Sequence, residues 1–253
     1  MKKILLPLCL LFVTTFLYSQ SIIEKEIEVS SNQVVNLDFE YANLVNIRGW
    51  DQNTVKVKAK VLINMGKNDD AYVLESKSQD GEARVTGYIK DKSSLPQMIR
   101  IRKDGQTYYF DGESWDSPEL QKFYEEHGRG GYEWMSHGVA WEIELEVMVP
   151  KNAKLQVTSK HALIDIEDMT GSVKAVSKHG GVDLEIQPSS TNHFSLLTQW
   201  GVIYTNLDFE YQKKSLTGKP SSWTSVESTL NGGNGELIDL ESKHGNLYLR
   251  QAR

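Results

Sequence analysis

Ser159-Lys160-His161-Ala162, Ser177-Lys178-His179-Gly180, Thr198-Gln199-Trp200-Gly201 and Ser242-Lys243-His244-Gly245 are four versions of one short string. Their flanks agree as well. Four and two residues before the opening Ser or Thr stand Leu155 and Val157, Val173 and Ala175, Phe194 and Leu196, Ile238 and Leu240. Five and seven residues after it stand Ile164 and Ile166, Val182 and Leu184, Ile203 and Thr205, Leu247 and Leu249. Only Thr205 in this set is polar.

Spacing by two is the side-chain period of a strand, so each copy predicts strand, tight corner, strand, with one face buried. The opposite face carries Asp165 and Glu167, Asp183 and Glu185, or Tyr204 and Asn206, which water can solvate. The step across the corner is odd, so the corner must reset the alternation. Gly at the fourth position of three copies fits an unusual backbone there or close approach of a neighbouring coil. The openings lie 18, 21 and 44 residues apart, which leaves room for one degenerate coil between Trp200 and Ser242. Together these features predict an all-β chain built as a β-solenoid, a stack of short coils that bury their apolar faces only against one another. A meander or sandwich with internal repetition is the competing fold.

Residues 1–20 have the pattern of a signal peptide, with Lys2 and Lys3 ahead of an apolar run from Ile4 to Tyr18 and a processing site after Ser19 or Gln20. Cys9, the single cysteine, lies inside it, so the mature chain is expected to have no disulfide, thiolate metal site or cysteine nucleophile. Removing the two lysines takes the formal charge from −6 to −8, and no later segment is basic enough to suggest a nucleic-acid surface. No later stretch is apolar for long enough to span a membrane. The expected product is exported to the periplasm, the outer-membrane surface or the extracellular space.

From residue 21 the chain alternates as strands over Ile22 to Val29, Val35 to Phe39, Val55 to Val61, Ala83 to Ile89 and Trp141 to Val149. Leu44 to Ile47, the turn-forming run Arg48 to Asn53, and Val55 onward suggest a divergent coil whose corner holds Trp50 as a packing residue. Between 108 and 138 an insert rich in aromatics interrupts the pattern. Within it Ser117-Pro118-Glu119-Leu120 opens a short helix over 117–127, with Ser117 as cap, Pro118 at the first position and Gly128 to end it. The expected division is 21–149 and 150–253, packed continuously across Pro150.

The exported N-terminus, the Val149-Pro150-Lys151-Asn152-Ala153 lead-in, the Ser177 to Leu184 repeat and the ending from Leu230-Asn231-Gly232-Gly233 to Gly245-Asn246-Leu247-Tyr248-Leu249 resemble the putative adhesin family of bacterial envelope domains. The resemblance covers residues 35–65 and 140–250 and leaves out the aromatic insert. It implies a β-helical repeat protein of the cell envelope and supplies no catalytic residues.

Candidate site residues fall into three groups. Trp115 and Trp134 could stack on sugar rings, with Asp111 and Glu113 as hydrogen-bonding neighbours, although covering an open end of the stack explains the insert's aromatics as well. Lys160, Lys178 and Lys243 would line up as a cationic stripe, with Lys160 and Lys178 the candidates for a polyanionic glycan. His161, His179 and His244 share one position in three coils and Trp200 holds it in another; His161 and His179 would stand on adjacent coils with Trp200 on the next, which makes them a poor metal pair and a better packing ladder. No cofactor is expected. The chain holds no Gly-x-Ser-x-Gly, His-Glu-x-x-His, phosphate loop or calcium loop. The function expected is therefore non-catalytic, adhesin-like or structural, with an envelope protein or surface glycan as partner and self-association through an exposed coil edge. Two alternatives stand beside it: a carbohydrate-active lyase or hydrolase using Asp165, Asp183 and Lys178, and an accessory sensor of an envelope signalling system.

Overall fold

The computed structural model describes residues 20–30, 33–112, 114–209, 211–213 and 222–252. The signal segment with Lys2, Lys3 and Cys9 lies outside them apart from Gln20, and so does Glu113.

The chain opens with strands β1 (Ser21–Glu28), β2 (Val34–Phe39), β3 (Leu44–Trp50) and β4 (Thr54–Ile63). An antiparallel hairpin follows, β5 (Tyr72–Gln79) and β6 (Glu82–Ile89), around Asp80-Gly81. Both turn residues have positive φ, 53° and 80°, the conformation for which Asp-Gly is favoured in tight hairpins. The insert comprises β7 (Met98–Lys103), β8 (Gln106–Asp111), helix α1 (Pro118–His127) and β9 (Trp134–Gly138). Then come β10 (Trp141–Pro150), β11 (Lys154–Ser159), β12 (Leu163–Glu167), β13 (Val173–Ser177) and β14 (Val182–Ile186). The chain closes with β15 (His193–Thr198), β16 (Ile203–Thr205), β17 (Tyr211–Lys213), β18 (Thr224–Thr229), β19 (Leu237–Ser242) and β20 (Leu247–Gln251).

These strands form two large sheets and one small one, an all-β architecture that is not a closed barrel. The eight-stranded sheet runs β1-β4-β10-β3-β12-β14-β20-β16 and the nine-stranded sheet β17-β18-β15-β19-β13-β11-β2-β6-β5. A single apolar core lies between them and draws residues from both sides of Pro150, with Phe39 and Phe194 among its largest buried side chains. At the N-terminal end β1 also lies against β5, so the edges of the two sheets meet there.

Five strand pairs cross from the nine-stranded to the eight-stranded sheet: β2–β3, β11–β12, β13–β14, β15–β16 and β19–β20. Like strands stack in parallel, with Ser159 opposite Ser177, Ser177 opposite Ser242, and Ser242 opposite Thr198. Their spatial order differs from chain order. The last pair, β19–β20, sits between β13–β14 and β15–β16, so the strand order does not describe a solenoid wound steadily in one direction. Of the sixteen flanking positions, all are buried except Ile203 and Thr205, because β16 is the outer edge of its sheet.

Two further sequence expectations change. The coil at the N-terminal end is β2–β3 with its corner at Glu40 to Asn43; Trp50 instead ends β3, where its indole Nε1 donates to the Thr54 carbonyl at 2.9 Å. Among the described residues, the stretch between Trp200 and Ser242 makes no fifth copy of the repeat. Its strands β17 and β18 pair antiparallel and extend only the nine-stranded sheet.

The small sheet has the order β8-β7-β9 and begins at Met98, ten residues before the expected insert. Helix α1 is capped by Ser117, whose hydroxyl accepts from the Leu120 amide, and ends at Gly128 with φ 77°. Its Leu120 and Phe123 pack on Ile99 and Ile101, with Tyr108, Phe110, Tyr124 and Tyr132 around them, making a second core separate from the main one.

Candidate functional site: a histidine and lysine column on the coil corners

The corner begins with the opening hydroxyl. Ser177 is fully buried; its Oγ donates to the Ala162 carbonyl of the adjacent coil at 2.6 Å and accepts from the Gly180 and Gly181 amides at 3.1 and 3.2 Å. Ser159 does the same between the Phe39 carbonyl and the Ala162 amide, and Thr198 between the Gly245 carbonyl and the Gly201 amide. Each hydroxyl therefore closes its own turn and ties it to the neighbouring coil. That neighbour is very near. A Cβ on Gly180 would stand 2.0 Å from the Ala162 oxygen, and one on Gly201 1.9 Å from the Gly245 oxygen, which is why the fourth position is small. Close approach accounts for these glycines; none of Gly180, Gly201 and Gly245 has a positive φ.

Backbone hydrogen bonds continue between corners, from the His179 amide to the Lys160 carbonyl, from His244 to Lys178 and from Trp200 to Lys243. The second and third residues of each string are thereby held in rows. The third row is an aromatic column. His161 and His179 stack with centroids 5.3 Å apart at 16°, and His179 and His244 at 4.9 Å and 9°. Tyr41 of the first coil stacks on His161 at 6.2 Å, and Trp141 meets both edge-on or tilted, at 5.5 and 5.9 Å. His244 takes the place that chain order assigned to Trp200, which instead stands on the outermost coil, 62% exposed.

The column is a packing ladder. Imidazole lone pairs lie in the ring plane, so parallel rings about 5 Å apart do not converge on one ion at the roughly 2.0–2.1 Å that zinc needs. Among the described residues no group of three or more His, Cys, Asp and Glu is placed to hold a metal. Burial, the neighbouring histidine and nearby lysines hold His161 below its ordinary pKa, and burial, His244 and Lys178 do the same for His179.

Beside the rings runs the second row, Lys160, Lys178 and Lys243. Lys160 reaches Glu40 at 3.4 Å and lies 5.8 Å from the Tyr41 ring centre; Lys92 lies over Tyr41 and Trp141 at 5.1 and 4.8 Å. Lys178 and Lys243 have no ion-pair partner among the described residues. The sequence already set Lys160, Lys178 and Lys243 in one stripe; the fold places Lys243 next to Lys178 and adds Lys92 from outside the repeats.

The other candidates are arranged differently. Asp165 and Asp183 are register partners, but Arg250 takes both, Nη2 to Asp165 at 3.1 Å and Nε to Asp183 at 2.5 Å, on an open sheet face. Burial and Asp183 raise the Asp165 pKa, against the pull of Arg250. Lys178 lies on the corner, away from them. Trp115 packs on His137 at 5.5 Å, whereas Trp134, three residues from His137 in the same strand, projects from the opposite face. The two tryptophans share no platform.

No family model matches this chain, and no curated protein matches it. Two solved structures are similar. A putative cell adhesion protein from Clostridium sporogenes shares 9% identity at a TM-score of 0.47, covering 92% of this chain and 100% of that one. A putative adhesin from Bacteroides fragilis shares 10% identity at a TM-score of 0.23, covering 93% of this chain and 99% of that one. No helix among the described residues is long and apolar enough to cross a membrane.

Proposed function

We propose that the protein is an exported, non-catalytic β-repeat protein of the bacterial envelope that binds a polyanionic surface glycan, in the manner of an adhesin, through its lysine column. In this reading the five strand pairs form a short solenoid with one coil out of chain order, and residues 21–149 and 150–253 act as one body. The observation that carries it is the row Lys160, Lys178, Lys243, set at the spacing of adjacent coils, with its last two ammonium groups unpaired among the described residues. An evenly spaced row of like charges costs repulsion and gains nothing within the fold, whereas a chain polymer bearing regular negative charges would neutralise it. The net negative charge of the remaining surface would turn polyanions away elsewhere.

The test is binding of the mature protein to acidic and neutral polysaccharides, repeated with Lys178→Gln/Lys243→Gln. Acidic polymers are expected to bind and neutral ones not. The double variant should bind roughly two- to thirtyfold more weakly, from exposed ion pairs worth about 0.2–1 kcal/mol each, and added salt should weaken the wild type. Equal binding by the variant, or no preference for acidic polymers, overturns the reading.

A further inference from the structure

The insert's small sheet turns one face to its helix and the other to the eight-stranded sheet. On that second face Arg100 is paired in register with Tyr109 on one side and Ser136 on the other. Between it and the main body lies a cleft of about 280 Å³, lined by Arg100 and Tyr109 from the insert and by Asn43, Leu62, Met65, Ala140, Trp141, Glu142 and Glu144.

Arg100 is the unusual member. It is half-buried, its Nε donates to Ser136 Oγ at 3.0 Å, and its guanidinium carbon stands 6.0 Å from the centre of the Trp134 ring. No carboxylate lies within ion-pair distance of it among the described residues, and burial pulls its pKa down. A guanidinium half withdrawn from water without a counter-charge carries part of that desolvation cost, and its planar terminal fork matches a carboxylate. Across the cleft Glu142 and Glu144, spaced by two on one strand, share a face and present acceptors only. They repel a second negative group and accept from hydroxyls. Tyr109 and Trp141 supply ring surface, and Leu62, Met65 and Ala140 an apolar floor.

We propose that this cleft is a binding site for an acidic sugar, a pyranose with one carboxylate. The carboxylate pairs with Arg100, the ring lies among Tyr109 and Trp141, and hydroxyls donate to Glu142 and Glu144. One negative end, hydroxyl donors at the other and a small apolar ring face between them are the properties the lining selects. The site shares Trp141 with the aromatic column but uses none of the lysines Lys160, Lys178 and Lys243.

The experiment is calorimetric titration of the mature protein with methyl glucuronide and, in parallel, methyl glucoside, for wild type, Arg100→Gln and Lys178→Gln/Lys243→Gln. The glucuronide should bind and the glucoside should not. Arg100→Gln should lose about tenfold or more in affinity, as expected for a charged hydrogen-bonded pair, while its melting temperature stays level or rises. The lysine double variant should bind the glucuronide as wild type does, which separates this site from the one proposed above. Absence of glucuronide binding, equal binding of both sugars, or loss in the lysine variant instead of Arg100→Gln overturns the assignment. A fall in melting temperature of Arg100→Gln with no uronate binding by the wild type makes Arg100 structural.

Discussion

At Ser177 one buried hydroxyl donates to the Ala162 carbonyl of the adjacent coil and accepts from two amides of its own turn. Ser177→Ala leaves all three groups without that partner in a place water does not reach, so a loss of about 1–3 kcal/mol is expected. Urea unfolding measures it, and an unchanged midpoint would show that the hydroxyl ties nothing together. This role was hard to read in advance. The alternation from Leu155 and Val157 continues inward to Ser159, a position where periodicity alone expects an apolar residue. The hydroxyl common to all four strings was the available signal, but the acceptor it reaches belongs to another coil and is set only by stacking. The glycine beside it was legible as a site of close approach, and the oxygen 2.0 Å from a Gly180 Cβ is that approach.

The histidine column spans elements, and its titration belongs at that scale. His161 and His179 are faced by the rings of Tyr41 and Trp141 and by Glu40, Lys92, Lys160, Lys178, Lys243 and His244; among these titratable and charged groups only Glu40 pulls a histidine pKa up. Both have folded pKa values lowered from an ordinary 6.5, so the native state binds fewer protons than the unfolded chain once pH falls through that value. Their contribution to stability is complete above about pH 6.5 and is lost as pH falls toward the lowered folded values. The melting temperature should therefore drop between pH 7 and 5, and His161→Gln/His179→Gln should flatten that drop. An equal drop in the variant would place the acid sensitivity in other groups. Strand alternation made most elements of the two large sheets legible, and the Ser117, Pro118 and Gly128 signals made α1 so. Strands β8 and β9 were not legible, because Tyr108-Tyr109-Phe110 and Trp134-Met135 carry aromatic or apolar side chains on both faces. In β8 Tyr108 and Phe110 serve the second core and Tyr109 the Arg100 cleft, whereas Trp134 and Met135 of β9 are both exposed.

At the scale of the molecule, the repeats announced stacked strand pairs but not their order in space. Every coil offers the same inward apolar pairs and the same corner, so any one can stack on any other, and local sequence does not choose between arrangements. The departures in one copy were the clue. Thr205 in place of an apolar residue and Trp200 in place of His suit a pair that ends the stack, since terminal repeats differ from internal ones, and β15–β16 is one of the two end pairs of the five, opposite β2–β3. Placing β19–β20 inside the stack makes the three histidines and three lysines contiguous. With chain order, Trp200 and Gln199 would interrupt both rows, and the proposed glycan column would not exist.

Disulfide trapping tests this placement most directly, because Cys9 is the only cysteine in the sequence and Cys9→Ser gives a clean background. Adjacent strands lie about 4.8 Å apart, and a disulfide spans Cα separations of about 4.4–6.8 Å. Lys178→Cys with Lys243→Cys should therefore cross-link on mild oxidation, while Lys178→Cys with Gln199→Cys, two coils apart, should remain reduced. Cross-linking of the 178–199 pair and not of the 178–243 pair would restore chain order and contradict the account.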